Sequence, residues 1–257
     1  MPTELFDFNE LDEVESDEKC AVPEALVFYD SWQSSCAWRI RLVLCYKGLP
    51  YETRQALLPG GEIRGSPVRD DTLNPMKQVP FLLAEGWESP LGQSIAIAEY
   101  LDEVAPDPPL LPGSRLTRAR LREMVEVVNS FIQPKQPHGF KRGLGALEAL
   151  ASRSTADGSA GRGPYLGGIG QPSLADFCLV PQLGNARSAK VDLAPYPTLL
   201  SCEAALRSHP VYEASHPKHV LRAMMQLDSN HLPLDFAPAN LPPPSMEELM
   251  TSRWPQM

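Results

Sequence analysis

The sequence predicts an α/β domain followed by an all-α domain, and three observations support this. The apolar run Leu26–Tyr29 is typical of a strand, expected at Leu26–Asp30, and the residues after it carry apolar side chains at helical spacing. Residues 106–113 hold four prolines and a glycine, as expected of a linker. Beyond the linker, apolar residues recur at three- and four-residue steps, which indicates helices. We therefore expect one domain at 25–105 and a second at 114–220.

The composition and the net charge exclude some classes of binding partner. The 257 residues carry a formal net charge of −9, which argues against nucleic acid or an anionic membrane surface as the main partner. No apolar run approaches the ~20 residues that a membrane-spanning helix needs. The five cysteines form no CxxC pair, and the five histidines show no metal-ligand spacing. We expect a cytoplasmic protein without a metal centre, whose acidic residues 1–24 form a disordered leader.

Four strands and two helices are expected within residues 25–105. The first helix should follow Ser34 and end at Gly48, after a basic last turn. The second helix should begin at Ser94, where apolar residues start to recur at helical steps. The other strands are expected at 51–57, 81–83 and 87–92, and the last of these should be short because it contains a proline and a glycine.

The second domain should consist of helices alone. Its first helix should end at Gln133, because Pro134 stops or kinks a helix. A short apolar run follows at Leu144–Leu150. Ser173 and Asp176 form a capping pair at the start of an apolar helix, and a further helix is expected at 198–207. The proline-rich residues 221–257 are expected to form a mostly disordered tail.

The first candidate site lies where the strand at Leu26–Asp30 gives way to a helix. Ser34, Ser35 and Cys36 stand at the helix start, where backbone N–H groups lack intrahelical partners and the helix dipole favours negative charge. A thiolate is such a charge, and it could belong to Cys36 or to a bound cofactor. An ordinary serine N-cap beside an inert core cysteine would give the same pattern.

Two further stretches offer polar groups to a ligand. A cis bond between Val79 and Pro80 would leave the preceding backbone N–H and C=O free for an extended peptide, whereas a trans bond would form an ordinary turn. Gln93 and Ser94 open a helix, where a carboxylate could accept from backbone N–H groups and from the serine hydroxyl. A plain serine cap is the alternative for this second stretch.

The order and spacing of these features resemble one known family. The motifs that carry the resemblance are SSCAWR at 34–39, NPMKQVP at 74–80, QS at 93–94, IQP at 132–134, the Ser173 and Asp176 pair, and VDLAPYP at 191–197. Together they resemble the zeta class of glutathione transferases, also called maleylacetoacetate isomerases, over roughly residues 25–217.

The resemblance implies a thioredoxin-like N-terminal domain, an all-α C-terminal domain, a homodimer and glutathione as the bound cofactor. By motif, the residues implied to hold glutathione are Ser34, Ser35, Cys36, Ala37, Trp38, Arg39, Val79, Gln93, Ser94 and Gln133. Of these, Ser34, Ser35, Cys36 and Arg39 are also implied to act in catalysis, with Val79 preceding a cis-Pro80.

The implied reaction is the isomerisation of maleylacetoacetate to fumarylacetoacetate in phenylalanine and tyrosine breakdown. A thiolate adds to the conjugated double bond, the resulting single bond rotates, and the thiolate leaves. The substrate is a dicarboxylate, so cations are needed to bind it. Arg39 and Arg187 are the candidates, whereas Arg41 is expected on a solvated helix face.

Two departures from the family pattern leave other functions open. Only twelve residues separate Gln133 from the run that begins at Ala146, so the helix pair after Gln133 should be shortened. Arg187 stands one position away from the family's arginine, a rotation of ~100° on a helix. The alternatives to an active isomerase, with or without transferase activity, are a glutathione-transferase-like binding or scaffold protein and thiol exchange through Cys36.

Overall fold

The structure is a computed structural model that describes residues 25–55, 74–134, 139–156, 163–220 and 222. The expected leader at 1–24 and the expected tail, apart from residue 222, lie outside these ranges. The part of the predicted second strand beyond residue 55 also lies outside them.

The N-terminal domain contains a four-stranded mixed sheet. Its strands are β1 (Leu26–Asp30), β2 (Glu52–Gln55), β3 (Phe81–Ala84) and β4 (Leu91–Gly92). The strand order is β2-β1-β3-β4, with β1 parallel to β2 and the other two pairs antiparallel. This arrangement confirms the predicted thioredoxin-like domain. The strand β4 has only two residues, as its proline and glycine led us to expect.

The helix α1 (Ser35–Lys47) crosses from β1 to β2 and ends at Gly48, which adopts the predicted left-handed conformation with φ of 64°. The helix is buried on every side, so the expectation of a solvated face was wrong. Arg41 is only 3% exposed, and its Nη1 lies 2.5 Å from Oδ1 of the buried Asp30. A carboxylate on the adjacent strand therefore takes the place of water around this guanidinium.

The helix α2 (Ser94–Val104) follows β4 and leads into the linker. Lys47, at the end of α1, fixes this junction: its Nζ lies 2.5 Å from Asp102 Oδ1, 2.6 Å from the Ala105 carbonyl oxygen and 2.7 Å from that of Pro108. The backbone N–H of Leu110 also donates to Asp102, at 2.9 Å. Because the side chain of Lys47 is wholly buried, these acceptors replace its hydration shell.

The described residues of the second domain form helices joined by turns and loops, without a strand. Its elements are α3 (Arg115–Val127), a π-helical turn (Val128–Ile132), α4 (Gly139–Ala156), a 3-10 turn (Leu166–Gly168), α5 (Leu174–Ser188), α6 (Pro197–Arg207) and α7 (Pro210–Ser215). The helix α4 extends beyond the predicted run Leu144–Leu150 at both ends. The bounds of α4 do not test whether the helix pair after Gln133 is shortened relative to the family, so that shortening stays a prediction.

The predicted capping pair is confirmed at the start of α5. Asp176 Oδ2 accepts from the backbone N–H and the hydroxyl of Ser173, at 3.0 and 2.7 Å, and Oδ1 accepts from Leu166 N–H at 2.9 Å. Burial raises the pKa of Asp176 to about 6, against the opposing effect of these hydrogen bonds. The helix α5 packs directly on α1, and a continuous apolar core joins the two domains.

Candidate active site

The first turn of α1 presents hydroxyl and thiol groups at a helix N-terminus. Ser34 is the N-cap, and its Oγ accepts from the backbone N–H of Ala37 at 3.2 Å. Because that bond uses a lone pair of the oxygen, the hydroxyl proton of Ser34 remains available for donation. Cys36, a half-buried free thiol, lies two residues further on. The predicted helix start is therefore in place, with its N–H groups and a hydroxyl proton together.

Ser35 is tied to the helical domain. Its hydroxyl lies 3.4 Å from Oε1 of Gln133, at the end of the π-helical turn, and accepts from Nε2 of Gln182 at 3.1 Å. Gln182 Nε2 also donates to Gln133 Oε1. The structure thus brings together Ser35 and Gln133, which the resemblance placed in one site. It adds Gln182, which the sequence reasoning missed.

The N-terminus of α2 holds a second polar group of the predicted site. Gln93 is the exposed N-cap and adopts a left-handed φ of 66°, a conformation that costs free energy in a residue other than glycine. The buried Ser94 accepts a hydrogen bond from Nη1 of Arg39 at 2.8 Å. Since Arg39 lies one helical turn after Ser35, α1 joins both predicted ligand-binding regions.

Arg39 is a buried cation that has no anionic partner among the described residues. Its side chain is 0% exposed, and its Nε and Nη2 have no hydrogen-bond partner in the part of the chain that the structure describes. An unpaired buried charge is costly, so it attracts any anion that reaches the N-terminus of α2. The guanidinium and the helix dipole both make this place favourable for a carboxylate.

The turn before β3 has the predicted geometry. The bond between Val79 and Pro80 is cis. The paired residues of β3 begin at Phe81, so Val79 lies just before the sheet ladder. The turn is held by Asn74, whose Nδ2 donates to the Gln78 carbonyl oxygen at 3.0 Å.

Trp38 faces residues 210–216, near the C-terminal end of the helical domain, and not the two glutamine amides beside Ser35. Its side chain is wholly buried, and Nε1 donates to Ser215 Oγ at 3.2 Å. Its ring packs on those of Tyr212 and His216, with centroids 5.8 and 5.4 Å away. Arg41 reaches the same segment through a 3.0 Å bond from Nε to the Ser215 carbonyl oxygen. Residues 210–216 therefore support the helix that carries the site.

Arg187, near the end of α5, is bound to a carboxylate of the helical domain. Its Nη1 donates to Glu203 Oε1 at 2.6 Å, and its Nη2 donates to Oε2 of the same carboxylate, which lies on α6. The pair is bidentate, the geometry that binds a guanidinium to a carboxylate most strongly. Arg187, the arginine predicted to bind substrate, is therefore already paired with a carboxylate of the protein itself.

Three of the four described cysteines are poor nucleophiles. Burial raises the pKa of the Cys45 thiol, and it raises the pKa values of Cys178 and Cys202 to about 11 and about 12. Cys202 lines a cavity of about 110 Å³ among α4, α6 and the loop at 163–168, away from α1. Among the described residues, Cys36 is the cysteine placed at a helix N-terminus.

The described residues contain no group of three or more His, Cys, Asp or Glu side chains that could hold a metal ion. None of their helices has the length and apolar character required to span a membrane. The arrangement consists of a helix start with a free hydroxyl proton, a buried cation beside a second helix start, and an amide at the domain boundary. Such groups suit an anionic ligand that carries a thiolate or a carboxylate.

Comparisons with known proteins agree with this description. Residues 33–104 match the family model "Glutathione S-transferase, N-terminal domain". Maleylacetoacetate isomerase from Rattus norvegicus is 39% identical over 205 residues, which cover 74% of this chain and 92% of the rat protein. Two solved structures are similar to the whole two-domain arrangement. Maleylacetoacetate isomerase from Anaeromyxobacter dehalogenans, with GSH bound in its active site, is 38% identical with a TM-score of 0.63 over 76% of this chain and 95% of that chain. A bacterial zeta-class maleyl pyruvate isomerase is 31% identical with a TM-score of 0.63 over 74% and 96%.

Proposed function

Because the chain belongs to the maleylacetoacetate isomerase family, the zeta class of glutathione transferases, we propose that it catalyses the glutathione-dependent isomerisation of maleylacetoacetate to fumarylacetoacetate. This reaction is a step of phenylalanine and tyrosine breakdown. The observation that carries the proposal is the first turn of α1, where Ser34 and Cys36 lie beside a serine that bonds to Gln133 of the helical domain.

The side chains at the N-terminus of α2 suit the γ-glutamyl end of glutathione. The charge of the buried Arg39 guanidinium and the hydroxyl of Ser94 suit the γ-glutamyl carboxylate, since a buried cation and a helix start both favour an anion. The residues proposed to line the cofactor are Ser34, Ser35, Cys36, Val79, Gln93, Ser94 and Gln133. Ala37, Trp38 and Arg39 support it from beneath, because their side chains are wholly buried.

Ser34 is the residue proposed to stabilise the sulfur. When bound, glutathione supplies the thiolate that adds to the conjugated double bond and leaves after the bond has rotated. The hydroxyl of Ser34 keeps its proton for donation, whereas that of Ser35 is engaged by Gln182 and Gln133. Ser34 would therefore lower the pKa of the bound thiol, with help from the helix N-terminus.

A second candidate function is glutathione binding without isomerisation. The observation that favours it is the bidentate pair between Arg187 and Glu203, because an arginine held in this way is not free to receive a substrate carboxylate. In the isomerase proposal, Arg187 would have to exchange Glu203 for the dicarboxylate substrate. The two functions therefore differ in turnover and agree in glutathione binding.

We also propose that the protein acts as a homodimer in the cytoplasm. Leu116 on α3 and Phe131 on the π-helical turn are large apolar residues that are 54% and 48% exposed, as expected if a second copy covers them. The four described cysteines are free thiols, which suits a reducing compartment. Light scattering of the purified protein should give twice the monomer mass, and a monomeric mass would contradict the dimer.

The decisive experiment is a turnover assay with maleylacetoacetate, with and without glutathione. Isomerisation that stops when glutathione is omitted is the expected result. Retention on immobilised glutathione without turnover would favour the second candidate function. Loss of activity in Cys36→Ser, with Ser34→Ala and Ser35→Ala tolerated, would favour thiol exchange through Cys36 instead. An absence of both binding and turnover would contradict the glutathione-based functions altogether.

A further inference from the structure

A buried amide network lies beneath the first turn of α1. It joins Ser35 of the N-terminal domain, Gln133 at the end of the π-helical turn, and Gln182 and Asn185 of α5. Gln182 is 0% exposed and Asn185 is 6% exposed. Because a buried amide costs free energy unless its donors and acceptors are paired, each bond in this network constrains the next.

The direction of the network can be followed from Asn185. Its Nδ2 donates to Gln182 Oε1 at 3.0 Å, so the carbonyl end of Gln182 faces Asn185. The amino end of Gln182 must then face the opposite way, toward Ser35 and Gln133. There it donates to the Ser35 hydroxyl at 3.1 Å and to Gln133 Oε1.

This direction determines how Gln133 is presented. With its Oε1 turned toward Gln182, the half-buried Gln133 has its Nε2 on the other side of the amide, pointing away from that bond. Two N–H donors are thus left for a ligand at the boundary between the domains. The same network engages Ser35, which leaves Ser34 as the serine that can donate to a sulfur.

We propose that Gln182 is a positioning residue of the glutathione site, which orients the Gln133 amide so that its N–H groups donate to the bound peptide. Gln182 itself touches neither cofactor nor substrate. It acts through Gln133, and Asn185 fixes its direction. The proposal rests on the proposed function, since it requires that glutathione binds against Gln133.

The test uses two variants of the full chain. Gln182→Met keeps the volume but removes the donor that holds Gln133. Asn185→Asp keeps the size of Asn185 but offers only acceptors when ionised, so it turns the amide of Gln182 around. Each change should raise the KM for glutathione by about tenfold, the equivalent of one lost hydrogen bond, while kcat changes by less than about threefold. The split arises because the cofactor contact is weakened and the sulfur contact is kept.

A third variant separates positioning from a general structural role. In a Gln133→Met background there is no amide to orient, so Gln182→Met should change the KM for glutathione by less than about threefold. Ser188→Ala is the matched control on α5, because its hydroxyl donates to the Gly184 carbonyl oxygen of its own helix at 3.1 Å. The control should leave the KM for glutathione within about twofold of the wild-type value.

The outcomes are distinct. Folded Gln182→Met and Asn185→Asp proteins that bind glutathione like the wild type would overturn the positioning role and leave the proposed function intact. An undiminished effect of Gln182→Met in the Gln133→Met background would also overturn it, since the effect would not pass through Gln133. A wild-type protein that neither binds nor uses glutathione would overturn both proposals.

Discussion

Arg39, a buried cation with no anionic partner among the described residues, yields the sharpest test of the cofactor site. Replacement by methionine keeps a flexible, unbranched apolar stem and removes the charge. In the protein without ligand, the change removes a buried cation that has no anionic partner in the described chain. We therefore expect Arg39→Met to be folded and no less stable than the wild type, because an uncompensated buried charge is unfavourable.

The loss of affinity can be estimated from the geometry. Arg39 Nη1 lies 2.8 Å from Ser94 Oγ. A carboxylate bound to the far side of that hydroxyl would lie about 5.5 Å from the guanidinium, since each hydrogen bond spans ~2.7 Å. At this separation and an effective dielectric constant of ~20, the attraction is about 3 kcal/mol. The dissociation constant of glutathione should therefore rise roughly 150-fold.

Calorimetric titration with two ligands separates this effect from a general disturbance. The first ligand is glutathione, and the second is 4-aminobutyryl-cysteinylglycine, which lacks only the γ-glutamyl carboxylate. Arg39→Met should weaken the first and change the second by less than about threefold. Equal losses for the two ligands would refute the reasoning, as would an unchanged affinity for glutathione.

Three further predictions concern other parts of the molecule. Ser34→Gly keeps a good N-cap and removes the hydroxyl, so kcat/KM should fall ~10- to 100-fold and the pKa of the bound thiol in the pH–rate profile should rise by ~1 to 2. Ser35→Ala should lower kcat/KM by less than about fivefold. A larger loss in Ser35→Ala than in Ser34→Gly would contradict the assignment. Lys47→Met leaves three acceptors at the linker without their donor. In urea unfolding, the free energy of unfolding should therefore fall by about 3 kcal/mol, while the KM for glutathione stays unchanged. A fall of less than ~1 kcal/mol would contradict this expectation. Burial raises the pKa of Asp176 from 3.8 to about 6, so its contribution to stability is complete below pH ~4 and is lost as the pH rises through ~6. Relative to Asp176→Asn, wild-type stability should therefore fall by roughly 3 kcal/mol between pH 4 and pH 7, and a constant difference would contradict the raised pKa.

Local chemistry made much of the fold and part of the site predictable. The end of α1 at Gly48, the capping pair at Ser173 and Asp176, and the short last strand each depend on a few neighbouring residues. The cis bond before Pro80 followed from a motif that the sequence shares with its family. Such features can be recognised because their cause lies within a few positions of the feature.

Features that depend on distant partners could not be predicted from the sequence. Arg41 was assigned to solvent by periodicity, and the carboxylate that allows its burial lies eleven positions earlier, on a strand. Gln182 was overlooked because a single glutamine in an apolar run has no local signal. Its partner Ser35 is 147 positions away, so only the packing of α5 on α1 reveals the contact.

The burial of α1 on every side has a consequence for mutational tolerance. An ordinary surface helix has a solvent-facing side where substitutions accumulate freely. On such a helix, only the buried side is constrained. In α1, one side meets the amide network and Ser94, and the other meets Asp30 and residues 210–216. Sequence drift in either neighbouring region would therefore shift the first turn that carries Ser34. Variants that arise far from the glutathione site, near the end of the helical domain, can reach the chemistry through this single helix.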